Sequence, residues 1–326
     1  MKRFLILSIC LLFTVSCFDG KKVNYKPASI GAINTLAVVM DTRLWEGSVG
    51  DKIREKFAAP SLGLTWEEPI FSIDHMPKSV FTGPTRHRRS VLFVSLDSLD
   101  IAQIQTDTYA TPQRIGVIKG HTEEQLIANI EAGAERLIAS YKKLELEETQ
   151  KRFFRSLNKE KALEEEFGIR LRVPSIYTVG MQESNFIWID RQIPRGTMNI
   201  LAYTIPGGSL TNDSTLVSYI IKMRDSIGMK YIPGPDIPNK TTYMMTEKAF
   251  APYVFITKVK DKKAIEVRGI WEVKNYPMAG PFQTYIIDDP ERGRKLVIEG
   301  FTFAPATNKR DYMFELEAIL KTVELL

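Results

Sequence analysis

PYVFITKVKDKKAIEVRGIWEVKNYPMAGPFQTYIIDDPERGRKLVIEGFTFAP, residues 252–305, holds four apolar runs rich in β-branched and aromatic residues. PYVFITKVK, AIEVRGIWEVKN, PFQTYIID and RKLVIEGFTFAP read as strands, and DDPERGR (288–294) reads as the turn of the last hairpin. Connectors this short join antiparallel neighbours, because a parallel pair needs a longer crossover. The helical patterns lie outside this block. The chain therefore reads as α+β: two α+β lobes with mostly antiparallel sheets, joined by a long charged helical segment.

Working outward, MNILAYTIPGG (198–208) and the cluster around Ile187, Trp188 and Ile189 add strands upstream. Asn212 or Asp213 is placed to cap a helix through Ile227, with Leu216, Ile220, Met223 and Ile227 on one face and Gly228 at C′. IPGPDIPNK (232–240) is a loop by its prolines. Lys309 to Leu325 closes the chain as a helix, with Met313, Leu316, Leu320 and Val323 inward. In the first half, INTLAVVMD (33–41), EEPIFSIDHM (67–76), RRSVLFVSLD (88–97) and RIGVIKG (114–120) read as strands. Trp45, Val49, Ile53 and Phe57 recur every four residues and predict one amphipathic helix, ended by Ala59-Pro60. Thr122 and Gln125 match a capping box that opens the longest helix, striped by Leu126, Ile130, Ala134, Leu137 and Tyr141. Charge dominates from 142 to 166, a segment predicted to be helical and to stop at Gly168. Each half runs strand, helix, strands, helix, the order of a pair of βαββ-type units. The expected parts are a signal (1–16), a flexible tether (17–32), a first lobe (33–150), a bridging helix (151–168) and a second lobe (169–326).

The chain has 326 residues, 44% hydrophobic content and 44 Lys+Arg against 39 Asp+Glu. That balance excludes intrinsic disorder, and two cysteines cannot form a disulfide framework. One apolar run approaches membrane length, at the N-terminus. MKRFLILSICLLFTVSC has a basic start at Lys2 and Arg3, an apolar stretch over 4–13, and small or polar residues leading to Cys17. It reads as a secretory signal, too short for a stable span. Its ending resembles the lipobox of bacterial lipoproteins. The resemblance implies cleavage before Cys17 and attachment of a diacylglycerol to its sulfur. Cys10 would leave with the signal, so Cys17 would be the one thiol of the mature chain. Loss of Lys2 and Arg3 takes the charge to 42 minus 39, or +3. That is no nucleic-acid footprint, and no nucleic-acid partner is expected.

Concentrated catalytic motifs are absent. The histidines His75, His87 and His121 are not spaced as metal ligands, and the sequence has no G-x-S-x-G, P-loop or Rossmann fingerprint. No metal and no cofactor are expected. Asp41 and Glu46 flank Trp45 at a strand-to-helix junction, where an aromatic ring and two acids can hold and cleave a sugar. The plainer reading makes Glu46 a helix-dipole partner and Trp45 a core residue. Glu67, Glu68 and Asp74 pose the same choice. Arg86, His87, Arg88 and Arg89 form the densest basic cluster, suited to phosphate, headgroups or acidic glycans, or else to a solvated strand entry.

The signal, NTLAVVMDTRLWEGSVGDKIREKF, EEPIFSI, RRSVLFV, IWEV and IEGFTFAP together resemble the Bacteroidota lipoproteins grouped as DUF4837, most specifically over Asp41–Phe57. The resemblance implies an envelope lipoprotein and assigns no catalytic residue. Surface-exported lipoproteins of that phylum carry acids after the cysteine. Here only Asp19 does so, followed by lysines, and the periplasmic side of the outer membrane is expected. The expected role is a lipid-anchored binding or scaffold protein with an envelope protein or glycan partner. The alternative is a lipid-anchored hydrolase acting on glycan or lipid.

Overall fold

The computed structural model describes residues 25–210 and 214–326. The signal, Cys17 and the proposed cap at Asn212 or Asp213 lie outside the described residues. The fold is α+β with mostly antiparallel strand pairing.

The first sheet comprises β1 (Thr35–Val39), β2 (Ser72–Met76), β3 (Ser90–Leu96), β4 (Ile101–Thr106) and β5 (Arg114–Gly120), in the order β2-β1-β3-β5-β4. Its first four strands are parallel, and β4 alone runs antiparallel at the edge. This sheet departs locally from the antiparallel pattern of the second lobe. Parallel strands covered on both faces read as continuous apolar runs, as TLAVV and SVLFVSL do. The chain leaves β1 through α1 (Thr42–Glu46) and α2 (Ser48–Phe57). The single helix predicted here is broken at Gly47, which is extended. Gly50 then lies against the Trp45 backbone, where a Cβ would stand 1.8 Å from the carbonyl oxygen. Val49, Ile53 and Phe57 are fully buried against the sheet.

Helix α3 (Glu123–Phe153) is 31 residues, about 46 Å long. Thr122 Oγ1 accepts from Gln125 N at 3.3 Å. The Gln125 side chain accepts from His121 N at 2.7 Å, one residue before the reciprocal partner of a capping box. The buried stripe runs past Tyr141 through Leu144, Glu145, Thr149 and Phe153. Its first part packs in the first lobe and Phe153 packs in the second, so α3 itself bridges the lobes. The helix predicted over 151–168 is interrupted. The chain turns after Phe153 and resumes as α4 (Ala162–Phe167), stopped by left-handed Gly168 at φ 62°. Residues 27–32, expected to be tether, are bound by backbone hydrogen bonds to Thr111, His87 and Arg89. Backbone pairing leaves no apolar signature, which is why this segment reads as loose.

The second lobe adds β6 (Ile169–Arg170), β7 (Thr178–Glu183), β8 (Phe186–Ile193), β9 (Gly196–Pro206), α5 (Leu216–Tyr231), β10 (Met244–Thr246), β11 (Tyr253–Val259), β12 (Lys262–Val273), β13 (Tyr276–Asp289), β14 (Arg294–Phe303), α6 (Arg310–Leu320) and β15 (Glu324–Leu325). Eight strands form an antiparallel sheet, β10-β12-β13-β14-β9-β8-β7, with β11 also on β12. The last hairpin turns through Pro290–Arg292 and left-handed Gly293. No βαββ repeat relates the two sheets. Alternate residues serve opposite faces. Ile200, Leu296 and Ile298 pack with Leu316 and Ile319 of α6, while Leu201, Tyr203 and Val297 pack with Leu216 and Ile220 of α5.

Two helix ends differ from expectation. The last helix stops at Leu320, because Thr322 Oγ1 accepts from Arg172 N and Glu324–Leu325 pair with β6. Helix α5 continues through Gly228 to Tyr231. Gly228 is a close-approach glycine: a Cβ there would stand 1.9 Å from the Met244 carbonyl oxygen of β10. Propensity alone would make Gly228→Ala gain about 1 kcal/mol. The clash outweighs that, and the substitution is expected to cost about 2 kcal/mol net. Urea denaturation checks the sign, and a stabilised variant would refute the packing account.

Candidate functional site

The lobes are joined by polar contacts at the start of α6. Glu68, from the loop before β2, is buried and accepts from Lys309 N at 2.7 Å and Arg310 N at 2.9 Å. It supplies the acceptor that helix-start amides otherwise lack. Arg310 Nη1 donates back to Pro69 O at 2.9 Å and Ser72 Oγ at 3.2 Å. Asn34 Nδ2 donates to Asp311 at 3.1 Å, and Gln150 Nε2 to Ala318 O at 3.0 Å. Residues 61–64 lie on β12 so closely that a Cβ on Gly63, itself at φ +79°, would stand 2.9 Å from Arg268 Cβ.

Beside this seam is a cleft of about 400 Å³. Residues 61–64, α3, β12, β13 and α6 all contribute to its walls. Below it lies a charged network. Arg268 Nε donates to Glu266 at 2.5 Å and Nη2 to Glu317 at 3.3 Å. Lys321 Nζ donates to Glu317 at 2.5 Å. Gln283 Nε2 donates to Glu266 at 3.0 Å and to the Tyr285 hydroxyl at 2.8 Å. Burial pushes the Tyr285 hydroxyl up, and Glu317 and Glu266 add to that. Burial alone would raise the Glu317 carboxyl, but Arg268 and Lys321 outweigh it and hold the group below the ordinary carboxylate value.

Lys142 is the member without a partner. It projects from α3 into the cleft wall, half-buried, and its Nζ makes no hydrogen bond or contact ion pair among the described residues. Burial lowers its pKa below the ordinary lysine value. Glu317 and Glu266 act to raise it, and Arg268 and Lys321 to lower it further. An unpaired, partly desolvated ammonium costs stability. Lys142→Met is therefore expected to stabilise the protein by about 0.5–1 kcal/mol near neutral pH. The folded pKa lies below the unfolded one, so the wild-type penalty is full below the folded value. It is relieved as pH rises through the folded value toward the unfolded one, and the variant's advantage shrinks. Denaturation at about pH 7 and about pH 10 tests this.

None of the residues singled out from sequence lines this cleft. Asp41 is the N-cap of α1, its carboxylate accepting from Arg43 N at 2.9 Å. Glu46 is exposed at the end of α1. Trp45 is half-buried, stacked on His75 at 4.8 Å with Arg54 4.4 Å from its ring. Glu68 is committed to α6, and Asp74 pairs with Arg88 at 2.9 Å. The basic cluster is dispersed. Arg86 is exposed, bonds Phe81 O at 2.9 Å and lies over Tyr109. Arg89 is buried on Glu145. The residues missed have a faint local signal. Ala139, Lys142 and Leu146 form a stripe beside the buried one at helical spacing. Glu266 and Arg268 share the face of β12 that Ala264 presents to the core.

A second concavity, about 480 Å³, opens on the other face of the large sheet. Helix α5 is about 24 Å long and leaves uncovered part of a face whose longest strand spans about 46 Å. Trp188, Asp190, Asn199, Trp271 and Phe303 line it. Burial raises the Asp190 carboxyl against a hydrogen bond from Gln192. Asp190 has that hydrogen bond, whereas Lys142 in the interlobe cleft has neither a hydrogen bond nor a contact ion pair among the described residues.

The family model described as Domain of unknown function (DUF8532) matches residues 29–154. The one described as Domain of unknown function (DUF4837) matches residues 156–322, half of the chain. No curated protein matches the chain. The matches meet where α3 ends, so the cleft is walled by residues of both. Asp41–Phe57, the segment that carried the resemblance most specifically, falls within the DUF8532 match. It is the second lobe, with its eight-stranded sheet and α6, that places the chain in the DUF4837 family.

Proposed function

We propose that this protein is a lipid-anchored component of the cell envelope, held by Cys17 in the outer membrane and facing the periplasm, that binds a ligand or partner rather than turning over a substrate. The cleft between the lobes carries this reading: it is walled by both matched segments and presents Lys142 without a contact ion pair among the described residues. The acids offered for catalysis are each exposed, capping or ion-paired, and the cleft's own acid, Glu317, is bonded to two cations. A glycosidase of the two-carboxylate kind needs a second free acid facing the first.

Anchoring is tested by mass spectrometry of the mature N-terminus. The expected product begins at Cys17 and carries acyl chains, each buried methylene contributing about 0.8 kcal/mol to membrane affinity. An unmodified Cys17, or cleavage elsewhere, overturns the anchor. Turnover of a glycan or lipid ester panel by the purified protein would overturn the binding role.

A further inference from the structure

We infer that the interlobe cleft binds a small amphipathic anion, its single carboxylate or phosphate head seated on Lys142 and its apolar body against Leu62, Leu64, Leu146 and Phe314. The inference rests on the cleft being the binding site and is independent of the anchor.

Charge accounting supports the sign. Five basic side chains line the cleft: Lys142, Lys143, Arg268, Arg310 and Lys321. Four have carboxylate partners. Arg268 is on Glu266 and Glu317, Lys321 on Glu317, Arg310 on Asp311 at 2.9 Å, and Lys143 on Glu147 at 4.0 Å. Lys142 is left over, so one anionic group balances the site. Glu317 attracts Lys142 only through space, because its contact ion pairs are with Arg268 and Lys321. The aliphatic and aromatic lining favours a head attached to an apolar body over a bare inorganic ion. A cleft of about 400 Å³ accommodates a small molecule of that kind.

The groups facing Lys142 define the pH response. Glu317 comes from α6, Lys321 from the C-cap that follows it, and Arg268 and Glu266 from β12. An anion pairs with the ammonium form. Affinity is therefore level below the lowered pKa of Lys142 and falls as pH rises through it, and binding raises that pKa. Added salt weakens binding by screening.

The test uses the purified full mature protein with 4-phenylbutyrate, phenyl phosphate and the uncharged 4-phenyl-1-butanol, by calorimetry at low salt. At least one anion is expected to bind about ten-fold or more tightly than the alcohol. Which anion wins distinguishes a carboxylate from a phosphate ligand. Lys142→Gln is expected to bring the anion to the alcohol's affinity, while Lys240→Gln, on an exposed loop, leaves it unchanged. In carbon-13 lysine-labelled protein, the Lys142 Cε signal should titrate below the other lysines and move up when the anion is added. Equal binding of anion and alcohol, or unchanged binding in Lys142→Gln, overturns the anion assignment and leaves the cleft as the site. No binding of any probe overturns both.

Discussion

Replacement of Glu145 by Leu is expected to cost about 3–5 kcal/mol, a large part of a total stability of about 5–15 kcal/mol. Glu145 lies on α3 and is fully buried. Its carboxylate accepts from Arg89 Nε at 3.0 Å and Nη2 at 2.8 Å, from Ser90 Oγ at 2.8 Å and from Asn34 N at 3.3 Å. Leucine fills similar space but strands a buried guanidinium and two further donors. Stranding the charge is the dominant cost, since a made hydrogen bond contributes only about 1 kcal/mol. The pair also holds the N-terminal segment, because Arg89 Nη2 donates to Gly31 O and Ala32 O as well. The double variant Arg89→Met with Glu145→Leu is expected to recover most of the loss. Guanidinium denaturation of the four proteins measures the coupling. A single-variant cost below about 1 kcal/mol would show that the pair is solvated.

An effect of the same order, about 3–5 kcal/mol, is expected for Glu299→Leu in the second lobe. Glu299 on β14 meets Arg224 on α5 through two bonds, 2.6 and 2.8 Å, with both side chains 2% exposed. Thr284 Oγ1 donates to the same carboxylate at 2.6 Å. Arg224 Nη1 also donates to Thr246 of β10 at 2.7 Å, and the guanidinium lies 3.4 Å from the Phe282 ring centroid. One arginine thus ties α5, β10 and β14 together, and removing its counter-ion leaves it buried with no charge partner. Loss of near-UV ellipticity ahead of far-UV signal would locate the damage in packing around Phe282. Arg224→Met combined with Glu299→Leu should again recover most of the stability. If the double variant is no better than the single, the loss lies in shape rather than in charge.

Elements with a strong local period were legible before the fold was known. The four runs of residues 252–305 became β11 to β14, and the stripe of α3 and the stop at Gly168 lie where periodicity and turn chemistry put them. Strand β4 was not legible, because IAQIQT is a half-exposed edge without a buried run. The stripe of α3 was read only to Tyr141, since Glu145 and Thr149 look like surface residues and are core ones. The cluster Arg86 to Arg89 looked like one patch. At the entry to β3, neighbouring residues face opposite ways, so Arg88 meets Asp74 outside and Arg89 meets Glu145 inside.

Periodicity and turn chemistry act over a few residues, so the sequence alone determined most of the strands and helices and that the class is α+β. Charge pairing acts through space. Arg89 and Glu145 are 56 positions apart, Arg224 and Glu299 are 75 apart, and Glu68 and Lys309 are 241 apart. Only the tertiary structure decided which charges are matched, because the desolvation that makes a partner obligatory exists only once the lobes are packed. It decided in the same way that Lys142, one of three lysines in α3, is the one left facing the cleft without a contact ion pair.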